Sequence, residues 1–130
     1  MSMRFLLAVD GSKYTRRMLT YIASNELLFR PSYEYVLFHA QPGNDRPLDV
    51  DALDTVLDEP AHFLRTQGFR PRRVLRQGSV AQELVQAANE MQANMIVMGS
   101  RGLSALETVM LGSVTVEVLA SAHVPVLVVR

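Results

Sequence analysis

The segment at residues 5–12 reads FLLAVDGS and joins an unbroken apolar run to a polar turn. A short apolar run without polar alternation is typical of a parallel strand that is buried on both faces. Asp, Gly and Ser directly after such a run mark a turn and the start of a helix. Residues 5–12 therefore predict a strand that leads into a helix.

The residues that follow continue this alternation. Apolar side chains recur at helical spacing from Met18 to Leu28, and the pattern ends before Pro31. A second apolar run, Tyr35–Phe38, predicts another strand, and the turn residues at 41–44 close it. A strand, a helix and a strand at this spacing match one right-handed βαβ unit.

The rest of the chain repeats the same two periods. The further elements predicted are a helix within 53–64, a strand at 72–76, a helix after 79–82, a strand at 95–98, a helix at 113–122 and a strand at 124–129. This order predicts an α/β fold, with one doubly wound, five-stranded parallel sheet and helices on both faces. Residues 1–130 form a single domain in this interpretation, because no linker or repeat interrupts them.

Two details of the helices are specific enough to test. Proline removes an interior hydrogen bond, so Pro60 predicts a kink or a helix that restarts near Asp58. Ser79 and Gln82 match a capping box, in which the serine hydroxyl accepts the third helical N–H and the glutamine reaches back.

The composition argues against several classes of protein. The chain has no cysteine, which excludes a disulfide scaffold, a thiolate metal site and a cysteine nucleophile. Its three histidines lack the spacing of metal ligands, so we expect no metal site. With 13 basic and 13 acidic residues the net charge is zero, so we expect neither nucleic acid nor a membrane surface as a partner. Without a signal peptide or a membrane-length apolar stretch, the expected location is the cytoplasm.

A glycine-containing segment follows the predicted strand at 95–98. It consists of Gly99-Ser100-Arg101-Gly102, nine further residues and then Gly112-Ser113, where the next helix begins. Glycine allows positive φ and a close backbone approach, and a helix N-terminus offers unpaired N–H groups to an anion. Ser113 adds a hydroxyl donor or caps the helix. The segment is suited to nucleotide phosphates without a Walker lysine, although turns alone would also explain the glycines.

This segment resembles the signature of universal stress proteins in their ATP-binding branch, and the resemblance extends over the whole chain. It implies the strand order 3-2-1-4-5 and a cleft for ATP, AMP or ADP, with or without magnesium, between the first and fourth strands. It also implies a two-fold homodimer through the apolar edge strand Val124–Val129, since an exposed edge of this kind pairs readily with another copy.

The same resemblance implies roles for individual residues. Asp10 would hold the ribose hydroxyls, above a wall formed by Ala8 and Val9. Ala40 would meet the adenine through its backbone, and Met98 would pack near the base. The groups expected around the phosphates are Gly99, Gly102, Gly112, Ser113 and the N–H of Val114. Two positions depart from the family pattern: Ala40 is smaller than usual, and Asn94 replaces a frequent aspartate.

Other interpretations of these residues remain open. Asp10 is also placed to be only a helix N-cap, and Arg101 either screens phosphate charge or lies on the surface as an ordinary arginine. Asp10, His39 and Ser100 would compose a nucleophilic triad on paper, but the chain lacks Gly-x-Ser-x-Gly. The arginines around the third strand indicate a charged, protected sheet edge rather than a patch for an anionic partner; they are Arg65, Arg70, Arg72, Arg73 and Arg76.

Three functions compete at this point. The leading hypothesis is an ATP-binding universal stress protein that acts as a nucleotide-responsive regulator in the stress response, with a protein partner that the sequence does not identify. The second is a slow ATP hydrolase or nucleotidyl-transfer enzyme, for which no water-positioning residue is evident. The third is a dimeric interaction scaffold that binds no nucleotide.

Overall fold

Strands and helices alternate along the part of the chain that the structure describes. The computed structural model describes residues 2–43, 47–101 and 111–130. Within these ranges its elements are β1 (Arg4–Ala8), α1 (Lys13–Ser24), β2 (Glu34–Gln41), α2 (Val50–Thr66), β3 (Pro71–Gln77), α3 (Val80–Glu90), β4 (Met95–Gly99), α4 (Ser113–Ser121) and β5 (Val126–Val129). All neighbouring strands pair in parallel, in the order β3-β2-β1-β4-β5. The α/β fold and the strand order are confirmed.

The sheet separates two apolar cores. Alternate residues of β1 point to opposite faces, so that Leu7 packs with α1 and α2 while Leu6 packs with α3 and α4. Both leucine side chains are fully buried, and each contributes about 1.5–3 kcal/mol through removal of its surface from water. The doubly wound arrangement is thereby confirmed. Among the described helices, none is both long and apolar enough to cross a membrane.

The first helix is shorter than its apolar pattern predicts. It ends at Ser24, and the Asn25 amide group donates to the Tyr21 carbonyl at 2.7 Å. The chain then turns, and Phe29 is fully buried while Leu27 is 92% and Leu28 46% exposed. The prediction that Leu27 and Leu28 extend the helical face was wrong, because the aromatic ring of Phe29 fills the core position instead.

Pro60 does not divide the second helix. The expected restart near Asp58 is wrong, since α2 runs continuously from Val50 to Thr66 and contains the proline. Pro60 is buried on the side of the helix that faces the first core, and it lines a groove with Val56 and Phe63. Its apolar ring therefore gains packing that offsets the hydrogen bond it cannot donate.

The predicted capping box is not formed. Ser79 occupies the N-cap position of α3, but its side chain makes no capping hydrogen bond. Ser79 and Gln82 are both exposed, so water can satisfy the first N–H groups of the helix.

The two edges of the sheet differ in chemistry. At the β3 edge, Arg73 pairs with Asp54 and Asp58 at 2.8 Å each, and Arg76 pairs with Glu90 at 2.7 Å. The hydrogen bond from Arg76 lowers the pKa of the Glu90 carboxyl.

At the opposite edge lies β5, which is apolar throughout and begins at Val126, later than the predicted Val124. The predicted position of the last strand at an edge is confirmed.

Candidate functional site

Most of the predicted site residues lie at or just after the carboxyl ends of β1 and β4. These strands are direct neighbours, with Leu6 opposite Ile96 and Leu7 opposite Val97. The connections leave this point in opposite directions, because β1 leads towards β2 and β4 leads towards β5. Crevices at such reversals are the usual ligand sites of open parallel sheets.

Four of the predicted site residues belong to the face of the sheet covered by α3 and α4. Ala40 and Met98 are buried in the second core, and Ala8 and Val114 pack against it. Strand residues Ala8, Ala40 and Met98 thus share one core cluster with Val114 of α4. Val9 lies elsewhere, since its side chain is 3% exposed within the first core on the opposite face.

Asp10 is held by the first turn of α1. Its Oδ1 atom accepts the Ser12 N–H and the Thr15 hydroxyl, each at 3.0 Å. The N-cap is Ser12, whose hydroxyl accepts the Thr15 N–H at 3.4 Å, and Gly11 between them has a φ of +79°. The interpretation of Asp10 as the N-cap is wrong, because the cap lies two residues further along the chain.

Gly99 and Gly112 are needed for close packing rather than for an unusual backbone. A Cβ on Gly99 would lie 2.7 Å from the Cβ of Tyr14, and one on Gly112 would lie 3.2 Å from the Cα of Arg101. Neither glycine is among the described residues with positive φ, so that part of the glycine prediction was wrong for both. The predicted site residue Gly102 lies outside the described residues.

The N-terminus of α4 is fixed against the end of β4. Gly112 donates its N–H to the Ser100 carbonyl at 2.8 Å, and the Thr115 hydroxyl donates to the Gly99 carbonyl at 3.1 Å. Gly112 is the N-cap and provides no side-chain hydrogen bond, so the expectation that Ser113 caps the helix is wrong. Ser113 is instead the first helical residue and is exposed. A helix start with these properties favours an anion.

The three residues of the hypothetical nucleophilic triad, Asp10, His39 and Ser100, bond to other groups. The Nδ1 atom of His39 lies 2.6 Å from the Val9 carbonyl oxygen, and Asp10 bonds within its own turn. Ser100 is buried, with its N–H donated to the Val129 carbonyl at 2.9 Å. This arrangement provides no base for a serine nucleophile. Asn94 lies just before β4, at the amino ends of the strands, where it bonds to the backbone of Arg4.

Three contributors to this edge were missed from the sequence. They are Thr15, which orients the Asp10 carboxylate, Thr115, which ties α4 to β4, and Tyr14, which packs against Gly99. Thr15 follows the N-cap Ser12 at the spacing of a third helical residue, which is a usable local signal. The contacts of Tyr14 and Thr115 join distant elements and leave no such signal.

A separate groove of about 310 Å³ lies between α1 and α2. Its apolar lining includes Leu19, Val56 and Phe63, and none of the predicted site residues contributes to it. Within the described ranges, no three His, Cys, Asp or Glu side chains are grouped as metal ligands. The candidate site is the region at the carboxyl ends of β1 and β4, where the polar groups available are the backbone groups at the start of α4 and the Asp10 carboxylate.

Comparisons with known proteins agree with this fold. A family model described as "Universal stress protein family" matches residues 1–130. A universal stress protein of Thermus aquaticus, in the QAH/OAS sulfhydrylase 3' region, is 35% identical over 134 residues, which cover 96% of each chain. The structure of a universal stress protein from Archaeoglobus fulgidus in complex with dAMP has a TM-score of 0.77 at 24% identity and covers 98% of each chain. A universal stress protein in complex with cAMP has a TM-score of 0.75 at 21% identity and covers 98% of this chain and 97% of that one.

Proposed function

The chain belongs to the universal stress protein family, and on that premise we propose that it binds an adenine nucleotide, ATP in particular, and acts as a nucleotide-responsive regulator in the cytoplasm. The nucleotide occupies the crevice between β1 and β4. Structural neighbours with the same fold have been solved in complex with dAMP and with cAMP, which supports an adenine nucleotide as the ligand class.

The adenine lies against the wall formed by Ala8, Ala40, Met98 and Val114. These side chains are apolar and share one face of the sheet. A flat aromatic base gains stability by covering the partly exposed side chains of Ala8 and Val114, whereas the buried Ala40 meets it through its backbone and Met98 supports the wall from within the core. The short side chain of Ala40 leaves room for the base to approach the backbone of β2. Val9 contributes through its main chain, because its side chain packs on the other face.

Asp10 accepts the ribose hydroxyls. Its Oδ1 atom is engaged by Ser12 and Thr15, which fixes the plane of the carboxylate. We assign the ribose contact to Oδ2, since a carboxylate has acceptor positions on both oxygens. Magnesium accompanies the triphosphate, because Mg²⁺ is usually held by substrate phosphates and one or two carboxylates.

The observation that carries the proposal is the start of α4. Its N-cap is a glycine without a side-chain bond, and the end of β4 lies directly against it. The N–H groups of Ser113 and Val114 and the partial positive charge of the helix thus face the phosphates. Gly99 and Gly112 support this arrangement because Tyr14 and Arg101 pack where their side chains would lie, and the phosphate role of Gly102 rests on the sequence motif alone.

Two further parts of the proposal concern assembly and turnover. The apolar edge strand β5, with Val124 and Pro125 before it, pairs with a second copy to form a homodimer. Hydrolysis of ATP gains no support from the described residues. His39 bonds to a main-chain carbonyl, and Asp10 is engaged in its own turn.

Thermal unfolding with added nucleotide tests the proposal. A ligand that binds only the folded state at 100 times its Kd stabilises that state by about 2.7 kcal/mol. We expect ATP with magnesium to raise the melting temperature of the wild type and leave that of Gly112→Val unchanged. In the variant, the new side chain would press on Arg101 and displace the start of α4.

Mass spectrometry of the denatured, purified protein provides an independent measurement. An adenine nucleotide released from the wild type and absent from Gly112→Val supports the proposal. The absence of any nucleotide, together with no thermal shift in millimolar ATP, would reject it. Dimerisation and partner binding that persist in Gly112→Val would favour the dimeric interaction scaffold that binds no nucleotide.

A further inference from the structure

Three basic side chains surround the ring of Tyr14 next to the candidate site. Lys13 Nζ lies 5.5 Å from the ring centroid, Arg17 Cζ 5.2 Å and Arg101 Cζ 5.3 Å. All three distances are within the range of a cation–π interaction. Tyr14 itself is buried. The ring therefore gathers positive charges from two different parts of the chain, and we name Lys13, Arg17 and Arg101 the Tyr14 cluster.

The Tyr14 cluster is connected to the start of α4 through two backbone contacts. A Cβ on Gly99 would lie 3.2 Å from the carbonyl carbon and oxygen of Tyr14, so the tyrosine backbone lies against the end of β4. Arg101 follows two residues later, and its backbone packs against Gly112. Arg101 is thus held beside the N-cap of α4, and the Tyr14 ring connects it to Lys13 and Arg17.

The local charge differs from that of the whole chain. The chain has equal numbers of basic and acidic residues, yet α1 has three basic residues and no acidic one. Lys13 and Arg17 are four residues apart on the helix, a spacing at which like charges weaken it. Lys13 also lies in the first turn, near the positive end of the helix dipole. Arg101 adds a third positive charge from another element, and a bound polyanion would be attracted by all three.

We propose that the Tyr14 cluster binds the outer phosphates of the nucleotide, so that the site distinguishes nucleotides by the number of their phosphates. The inference rests on the proposed function, because it concerns the same ligand. The first phosphate lies at Gly112 and the start of α4, and further phosphates extend past Gly99 to Lys13 and Arg17. Guanidinium groups bind phosphate oxygens in pairs, and the lysine acts as a point charge. The order of affinity is ATP, then ADP, then AMP.

Calorimetric titration of the wild type and of Lys13→Gln/Arg17→Gln with ATP, ADP and AMP tests the cluster. Both replaced side chains are exposed, so the fold should be retained, and circular dichroism checks this. We expect the double variant to bind ATP about tenfold more weakly, and AMP within about twofold of the wild type. Added salt should weaken ATP binding more in the wild type than in the variant. A variant with an unchanged ratio of ATP to AMP affinity would overturn the inference.

Arg16→Gln is the matched control for charge. Arg16 lies on the same helix and is also exposed, but it lines the groove between α1 and α2 rather than the ring of Tyr14. We expect this variant to retain the wild-type preference for ATP. A loss equal to that of the double variant would mean that the overall charge of α1, and not the cluster, sets the preference, and would reject the assignment.

Inorganic tripolyphosphate separates failure of this inference from failure of the proposed function. It has no adenine or ribose, so its binding depends on the phosphate contacts alone. If no adenine nucleotide binds but tripolyphosphate binds to the wild type and not to the double variant, the proposed function fails and the cluster is supported. If neither ligand binds, both are rejected.

Discussion

Helices α1 and α4 start at the carboxyl ends of neighbouring strands, on opposite faces of the sheet, and their first turns are built differently. The first turn of α1 is bonded to its own side chains: Ser12 caps it, and Asp10 and Thr15 bond to each other across it. The first turn of α4 has Gly112 at its N-cap, without a side chain to offer. Both follow adjacent parallel strands.

Side chains satisfy the first turn of α1, whereas the first turn of α4 has backbone donors that the proposed nucleotide would bind. At α1 the polar side chains satisfy backbone donors and hold a carboxylate in a fixed orientation. At α4 the backbone donors have no such side chains, and close packing against β4 maintains the geometry. We therefore expect removal of the Ser12 cap of α1 to change mainly stability, and removal of the Ser113 hydroxyl at the start of α4 to change mainly nucleotide affinity.

Gly99→Ala should have the largest effect, because it acts on both helix starts. The added Cβ would lie 2.7 Å from the Cβ of Tyr14 in α1, and Gly99 also supports the start of α4. Overpacking of this kind costs about 1–3 kcal/mol, and we expect ATP binding to weaken as well. Urea unfolding and calorimetry measure the two effects. An unchanged unfolding midpoint would show that the contact between β4 and α1 yields easily.

Asp10→Asn should reduce nucleotide affinity more than stability. The amide oxygen still accepts hydrogen bonds from Ser12 and Thr15, while the negative charge is lost. We expect binding to weaken about tenfold, with a change in unfolding free energy below about 1 kcal/mol. Titration with 2′,3′-dideoxy-ATP is the control, since the wild type should prefer ATP over it and the variant should not. Equal preference in both proteins would remove Asp10 from the ribose site.

A matched pair of serine variants tests the comparison most directly. Ser12→Ala removes the side-chain cap of α1 and should lower the unfolding free energy by about 0.5–1 kcal/mol without altering ATP affinity. Ser113→Ala acts on an exposed residue of α4 and should change stability by less than about 0.5 kcal/mol while weakening ATP binding severalfold. Urea unfolding and calorimetry of both variants provide the readout. The reverse pattern would contradict the distinction between the two turns.

Glu90→Gln should have the smallest effect and provides a reference far from both turns. Arg76 lowers the pKa of Glu90 in the folded protein, so the pair stabilises the fold when Glu90 is ionised. This stabilisation is present above the pKa of an unfolded glutamate and is lost as the pH falls through the folded value. The melting temperature of the variant should lie slightly below that of the wild type at pH 7, and the difference should shrink as the pH falls through the folded pKa of Glu90. A difference that does not shrink in acid would point to packing instead of charge.

The sequence was informative where burial is continuous and uninformative where distant elements meet. Apolar runs such as Tyr35–Phe38 indicated the strands, because a parallel sheet buries both of its faces. The glycine motif located the start of α4 by a different signal, because Gly112 directly precedes the helix. The contact of Tyr14 with Gly99 and the gathering of Arg101 with Lys13 depend on tertiary packing, and no local pattern predicts them.

Local signals also failed where several side chains competed for one role. Leu28 and Phe29 both follow α1, and only the packed structure shows that the ring is the one buried. Ser79 matches a capping sequence but is exposed to water, which competes for the same N–H groups. Pro60 is tolerated inside α2 because of the surface it covers, which its sequence neighbours do not reveal.

The two edges of the sheet differ in their capacity to pair with a further strand. The β3 edge begins with Pro71, which has no N–H to donate, and two of its arginines are paired with neighbouring helices. Among the described strands, β5 alone presents an apolar edge suited to strand addition, so in the proposed homodimer a second copy would occupy that edge of each molecule. Strand addition through the sheet would then stop after a single step.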